Sequence, residues 1–564
     1  MDHIISKYCP RINFESYEDF CNGFTINTPE QFNFGYDVVD EWARVEPDKL
    51  ALVWTNDEGD MKRYTFADVK RHSDQAANFF RSYGLGKGDV VMLILRQRPE
   101  VWFAMVGLHK LGAVCIPASF QLTPHDIVYR CNAASVKMLV VVSEDGLLDY
   151  VRESVPKCTT LKNVCTLGEP HTDEGFIDFG TELYAQSDVF ERPTGDQAAT
   201  NDDMMLLYFS SGTTGMPKMV WHDFAFPLGH IATARYWQCV QENKIHMTQT
   251  DSGWAKFAWG KIYGQWICGA AIGAYDTMKF KSKDMLDAII RIHPTTFCAP
   301  ATIYRVLIKD DLSGYDLSFI EHASVAGEPL NPEVYNRFQE LTGLELREGF
   351  GQTETPVLFA NFPFFDVRPG SMGKPNPYFD IQLIDADGNP CEDGDEGVIC
   401  ICNVGDHGPS GLFRGYYLDE EVTRKAWHDG RYSTGDMAWR DADGYYWFVG
   451  RNDDVIKCSG YRIGPFEVES ALMEHPSVLE CAVTAAPDPV RGQVVKATIV
   501  LTKGYQPSDE LVKELQNHVK HATAPYKYPR IVQFVDELPK TSSGKIQRSV
   551  IRNADVHYRH SGDK

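Results

Sequence analysis

The sequence has no apolar run long enough to cross a bilayer; the nearest, Trp266 to Tyr275, is Gly-rich and far too short. It has no basic surplus either. A formal net charge of −23 argues against a nucleic-acid binder, whose phosphate contacts need a basic face. It leaves room for an anionic nucleotide, since a local nest of backbone N–H groups holds phosphates against the global sign. The 14 cysteines include no C-x-x-C pair and no Cys/His cluster at zinc spacing. They read as small buried hydrophobes in a reducing compartment. The segment Met1 to Phe20 lacks the apolar core of a signal peptide. These absences together give the expectation of a cytoplasmic protein with no membrane or nucleic-acid partner. There is also no G-x-S-x-G elbow, so Ser-His-Asp acyl chemistry has no anchor here.

What is present is a soluble composition, 43% hydrophobic and 24% charged, over 564 residues, which is too long for one core. After an N-terminal arm, with an amphipathic stretch at Val38 to Arg44, β-branched runs at 90–95, 114–117 and 138–142 alternate with helical stretches at 66–80 and 101–111. Strand alternating with helix predicts parallel sheets covered on both faces. Runs at 381–384 and 398–403, separated by the Asp/Gly-rich 385–397, predict a turn-rich β region. After Gly450-Arg451-Asn452-Asp453-Asp454 the pattern becomes a βα module of about 110 residues, enough for a small domain. The fold expected is therefore α/β. A large N-terminal domain (1–451) of parallel αβ-layered sheets plus a β-rich subdomain precedes a small, mobile α+β C-terminal domain (452–564).

The chemistry starts at Ser210-Ser211-Gly212-Thr213-Thr214-Gly215-Met216-Pro217-Lys218, directly after the buried run 204–209. Two glycines let the backbone approach an anion, the hydroxyls donate to phosphate oxygens, and Lys218 adds a charge. Pro217 stands where a Walker A loop would carry its second glycine. The nine-residue pattern resembles the signature of the adenylate-forming superfamily: acyl-CoA synthetases, peptide-synthetase adenylation domains and firefly luciferase. Further segments match that family in order. These are Ala326-Gly327-Glu328-Pro329, Glu348-Gly349-Phe350-Gly351-Gln352-Thr353-Glu354, Tyr432-Ser433-Thr434-Gly435-Asp436, the Gly450 to Asp453 hinge, Lys457 to Arg462, and Pro539-Lys540-Thr541-Ser542-Ser543-Gly544-Lys545. Any one alone would be a turn or a solvated charge; seven in order remove that reading.

The resemblance implies the roles. Ser210 to Gly215 with Lys218 would hold phosphates. Gly327, Glu328 and Pro329 would pack on adenine, and Glu348 through Thr353 would complete the ATP site with Arg462. Thr353 would touch the phosphates and Glu354 would help hold magnesium. Asp436 and Arg451 would take the ribose, Asp453 would be the hinge, and Lys545 would bridge the substrate carboxylate and the α-phosphate. Ser459, Gly460, Tyr461 and Arg491 would contact CoA. Attack of a carboxylate on the α-phosphate brings two anions together, so positive charge and orientation matter more than a base. ATP, Mg2+ and CoA are the implied co-substrates and cofactor.

Among relatives the chain is most similar to medium-chain acyl-CoA synthetases. Acetate-activating relatives tend to carry a bulky Trp where this chain has Gly351, and a glycine there opens the acyl pocket. After Asp251 to Trp254, however, Lys256 and Trp259 stand where aliphatic residues are usual. Trp254, Lys256, Trp259 and Gly351 are thus the candidate acyl pocket, expected to take a short-to-medium or branched acid. The alternatives are a standalone adenylation enzyme loading a carrier protein, an aryl-acid CoA ligase, or a binding protein retaining the fold. The oligomeric state is left open.

Overall fold

The computed structural model describes residues 4–144, 146–210, 216–405, 408–458, 461–488, 491–540 and 546–560. The two large sheets follow from the alternation. In one, the parallel strands Leu346–Phe350, His322–Ala326, Thr296–Ala299, Ile245–Thr248, Ala271–Asp276 and Leu50–Asn56 lie side by side, closed at both edges by antiparallel strands. In the other, Met204–Ser210, Val114–Pro117, Val90–Ile94, Met138–Val142, Asn163–Leu167 and Ile177–Asp178 run parallel, and Lys218–Asp223 pairs antiparallel on Met204–Ser210. Every residue of the three strands from Val90 to Val142 is buried, as parallel strands covered on both faces require.

The covering helices begin where local chemistry says they should. Phe66–Ser82 and Pro124–Ala133 both start at a threonine whose hydroxyl accepts from an aspartate amide three residues on, with the aspartate answering, and the second adds Pro at its first position. The amphipathic stretch near Val38 is a π-helical turn, Gly35–Asp40, running into the helix Glu41–Val45. It is pinned by Trp42, whose indole N–H donates 2.7 Å to the Trp266 carbonyl.

The β-rich region is a five-stranded antiparallel sheet containing Asp380–Ile384, Glu396–Cys402, Arg431–Arg440 and Tyr446–Arg451. The C-terminal domain has its own sheet, with Val478–Asp488 and Gly492–Leu501 at its heart. Helices Pro465–Met473 and Asp509–Ala522 cover it around a separate apolar cluster. The large and small domains meet where Phe448 faces Phe466 and where Asn331 Nδ2 donates 3.3 Å to the Ser470 carbonyl. Among the described residues no helix is long and apolar enough to cross a membrane.

Candidate active site

The strand Leu346–Phe350 ends at the crevice outside the carboxyl ends of its sheet, where open α/β sheets place ligands. The chain then turns through Gly351 to Thr355, with the Gln352 amide donating 3.0 Å to Thr355 Oγ1. From this turn Gln352 reaches the third sheet. Its amide nitrogen donates to the Thr434 carbonyl at 2.9 Å and to Asp436 Oδ2 at 2.5 Å, and its oxygen accepts from the Tyr432 hydroxyl at 2.7 Å. Asp436 faces Arg451 across an antiparallel pair, with Arg451 Nη1 3.5 Å from Asp436 Oδ1 and 3.3 Å from the Thr434 carbonyl. Burial disfavours the Arg451 charge, but the carboxylates of Asp436, Asp453 and Glu354 outweigh it. Gln352, Asp436 and Arg451, separated by up to about a hundred residues of sequence, thus form one web.

The rest of the motif turns on two supports the sequence did not reveal. His222, on the strand Lys218–Asp223, donates Nε2–H to the Thr353 carbonyl at 2.9 Å; burial pushes its imidazole down to about 3, so it stays neutral. Tyr416 donates its hydroxyl to Glu354 Oε1 at 3.0 Å, and Lys218 Nζ lies 5.0 Å from the centre of its ring. Burial and the Glu354 charge push the Tyr416 hydroxyl up. Neither support carries a spacing signature, because each acts by tertiary contact with the turn. Ser210 ends its strand here, while Ser211, Gly212, Thr213, Thr214 and Gly215 lie outside the described residues, as do Ser459, Gly460 and Lys545.

Glu348 is buried, and burial pushes its carboxyl up to about 8 against a hydrogen bond from the Leu330 amide. Its Oε2 has no partner among the described residues. Next to it, Gly327 adopts φ +98, which demands glycine, and nothing lies within 4 Å of where a β-carbon would sit. Glu328 turns to Thr302, whose hydroxyl it accepts at 2.6 Å, and Pro329 is half-buried.

The acyl end departs from expectation. A β-carbon on Gly351 would lie 2.6 Å from Trp259 Cζ2 and 2.5 Å from the Pro356 carbonyl oxygen; one on Gly349 would lie 2.5 Å from Trp237 Cε2. The two indoles meet edge to face at 5.9 Å. Gly351 therefore opens no space: the indole of Trp259 already fills it. Lys256 donates 2.7 Å to the Ala326 carbonyl and so reaches toward the adenine segment. Trp254, half-buried, precedes the helix Ala255–Gly260 that carries both.

On the C-terminal domain, Tyr461 stacks on Tyr526 at 4.2 Å between ring centres, both rings exposed. Arg491 is exposed, its amide donating 2.8 Å to Asp488 Oδ1. Arg462 is exposed, and its charge acts on Glu396 of the β-rich sheet.

Residues 39–417 match the family model for AMP-binding enzyme, and residues 467–545 match that for the AMP-binding enzyme C-terminal domain. The chain belongs to the AMP-binding enzymes. The mitochondrial acyl-coenzyme A synthetase ACSM3 of Mus musculus is 41% identical over 552 residues, 96% of this chain and 94% of that protein. The mitochondrial acyl-coenzyme A synthetase ACSM5 of Mus musculus is 42% identical over 537 residues, covering 93% and 91%. Among solved structures, an anthranilate CoA ligase in complex with anthranoyl-AMP superposes with a TM-score of 0.84 at 28% identity, covering 94% of this chain and 98% of that one. An acyl-CoA synthetase from Brucella canis gives 0.71 at 30% identity, covering 97% and 100%.

The cytoplasmic expectation is overturned by these relatives of the AMP-binding enzyme, which are mitochondrial proteins. Free thiols in a buried interior mark a reducing compartment without saying which one.

Proposed function

We propose that this AMP-binding enzyme is an AMP-forming acyl-CoA synthetase. A carboxylic acid reacts with ATP to give acyl-AMP and pyrophosphate, and the acyl group then passes to the CoA thiol. The observation that carries this reading is the web joining Gln352, Tyr432, Asp436 and Arg451, with Thr353 and Glu354 on the same turn. Asp436 offers a carboxylate and Arg451 a guanidinium at one edge of the crevice, a pair suited to vicinal hydroxyls. The backbone carbonyl of Thr353 is fixed by His222, which leaves its hydroxyl to be aimed at a phosphate oxygen. Glu348, kept neutral by burial, presents a hydrogen-bonding edge next to the open face of Gly327, the place for a purine.

Glu354 fits a magnesium ligand: Tyr416 orients one carboxylate oxygen, and no ion pair among the described residues takes the other. Held there, magnesium would offset charge on the triphosphate. Lys545, together with Lys218, would supply the remaining positive charge where carboxylate meets α-phosphate, so that the nucleophile needs no base. The proposed domains are 1–451 and 452–564, turning about Asp453 so that Lys545 serves adenylation and Ser459 to Tyr461 serve thiol delivery. The stacked rings of Tyr461 and Tyr526, with Arg491, then form the CoA side.

For the acid, the filled space at Gly351 favours a short or branched aliphatic chain: Trp259 ends the pocket where a longer chain would continue. The test is acid-dependent release of AMP and pyrophosphate followed by trapping with CoA. Turnover with free CoA and no carrier protein is the expected result. Release of AMP without thioester would instead support a carrier-loading enzyme, and best activity on benzoate or on octanoate would overturn the short aliphatic reading.

A further inference from the structure

The chain between the two domains is held from both sides around Asp453. Asn452 is still tied to the large domain: its amide donates 2.9 Å to the carbonyl of Gly435, in the strand that carries Asp436. Asp454 is held by both domains, its amide donating 2.9 Å to the Arg451 carbonyl and its side chain reaching the small domain. Its side chain is buried, only 8% exposed, and its Oδ1 is paired with the guanidinium of Arg552. Arg552 lies on the helix Arg548–His560, which is built into the small domain twice over. Arg548 grips the buried Glu469 at two points, Nη2 to Oε2 at 2.7 Å and Nε to Oε1 at 3.2 Å, and Ile551 packs with Ala482, Val500 and Leu538. Arg548 also lies in the field of Asp454, so Glu469, Arg548, Asp454 and Arg552 form one charge network. Asp453 sits inside the turn closed by the Asp454 and Val455 amides on the Arg451 carbonyl; its side chain is 45% exposed and 3.8 Å from Arg451 Nε.

We infer that the Asp454–Arg552 ion pair is a clamp that ends the pivot at Asp453 and makes the helix Arg548–His560, which begins three residues after Lys545, turn as one body with the chain leaving the pivot. Both are positioning residues, and the inference rests on the domain rotation proposed above. The physical reason is the cost of leaving Asp454 buried without a partner. Without Arg552 the carboxylate relieves that cost by turning out to solvent, which rotates the backbone next to Asp453 and frees the pivot from a defined end. The helix then no longer follows the pivot, and Lys545 arrives with poor orientation. The thiol-side segment is unaffected, because Tyr461–Ile463 is paired to Ile456–Cys458 by its own ladder and does not depend on that helix.

The experiment separates the half-reactions in full-length Arg552→Gln and Asp454→Asn. Acid-dependent ATP–pyrophosphate exchange should fall about ten- to a hundredfold, the scale of a small misplacement of a reacting group. Thioester formation from supplied acyl-adenylate and CoA should change by less than about threefold. Arg552→Lys should recover most of the exchange, and so should the exchanged pair D454R/R552D, which also serve if a single variant does not fold. Equal losses in both half-reactions would show a merely structural pair and overturn the clamp, as would unchanged exchange. Lys545→Ala distinguishes the two levels. If it retains exchange, the reading of Lys545 and the rotation is at fault; if it loses exchange while Arg552→Gln keeps it, the clamp alone fails.

Discussion

The two walls of the crevice are built by opposite means. The wall proposed for the nucleotide is polar and cross-linked: Gln352 alone ties one loop to three groups of another sheet. The acyl wall is apolar and interlocked, two glycines taking the edges of two indoles. A hydrogen-bonded wall fixes direction, because its donors and acceptors work only at set angles. A packed wall fixes volume, since interiors are as dense as organic crystals and respond to a single methyl group. Catalysis on a shared triphosphate calls for the first, and choice among acids for the second.

Breaking the polar wall should have the largest effect. Gln352→Ala strips partners from Asp436 and Tyr432, and adenylation should fall about a hundredfold, measured as ATP–pyrophosphate exchange, with the preference order among acids unchanged. A changed order would mean the walls are not separate. The packed wall should respond the other way. Trp259→Leu should raise activity on hexanoate relative to a short branched acid by about tenfold, while the KM for ATP stays within about twofold. Gly351→Trp, which would favour acetate if Gly351 opened the pocket, should instead lower the thermal transition, since even a β-carbon does not fit there. A well-folded Gly351→Trp enzyme that prefers acetate would refute the interlock.

The smallest effect concerns Glu348, which borders both walls. Its carboxyl is pushed up to about 8 in the folded protein, while an unfolded glutamate titrates near 4.3. Between those values the folded state holds one proton more, so stability falls as pH rises through the window and is lowest above 8. Glu348→Gln lacks this term. Its thermal transition should match wild type near pH 4.5 and exceed it by a few degrees at pH 9. A difference independent of pH would show that the carboxyl is not held neutral.

The sequence announced both walls but not how the second one packs. Strands such as Val90–Ile94, Val114–Pro117 and Met138–Val142 lie where the apolar pattern puts them, because buried parallel strands read as continuous runs. The polar wall was legible because hydrogen-bonding chemistry demands particular residue types at fixed spacing within one turn. The filling of Gly351 was half legible: the sequence set the bulk of Trp259 against the space at Gly351, and only the fold shows that side chain, 92 positions earlier in the chain, entering it. His222 and Tyr416 escaped for the same reason, each supporting the motif from a strand that carries no motif of its own.

The interlock of Gly351 with Trp259 also constrains history. Neither residue is free to change by itself: bulk at 351 collides with the indole, and loss of the indole leaves a void beside a glycine. Substitutions at the two positions are therefore strongly non-additive, and a lineage moving toward or away from a bulky residue at 351 must lose or gain the indole in a set order. Specificity in this fold would then evolve in jumps between matched pairs rather than by gradual trimming of one side.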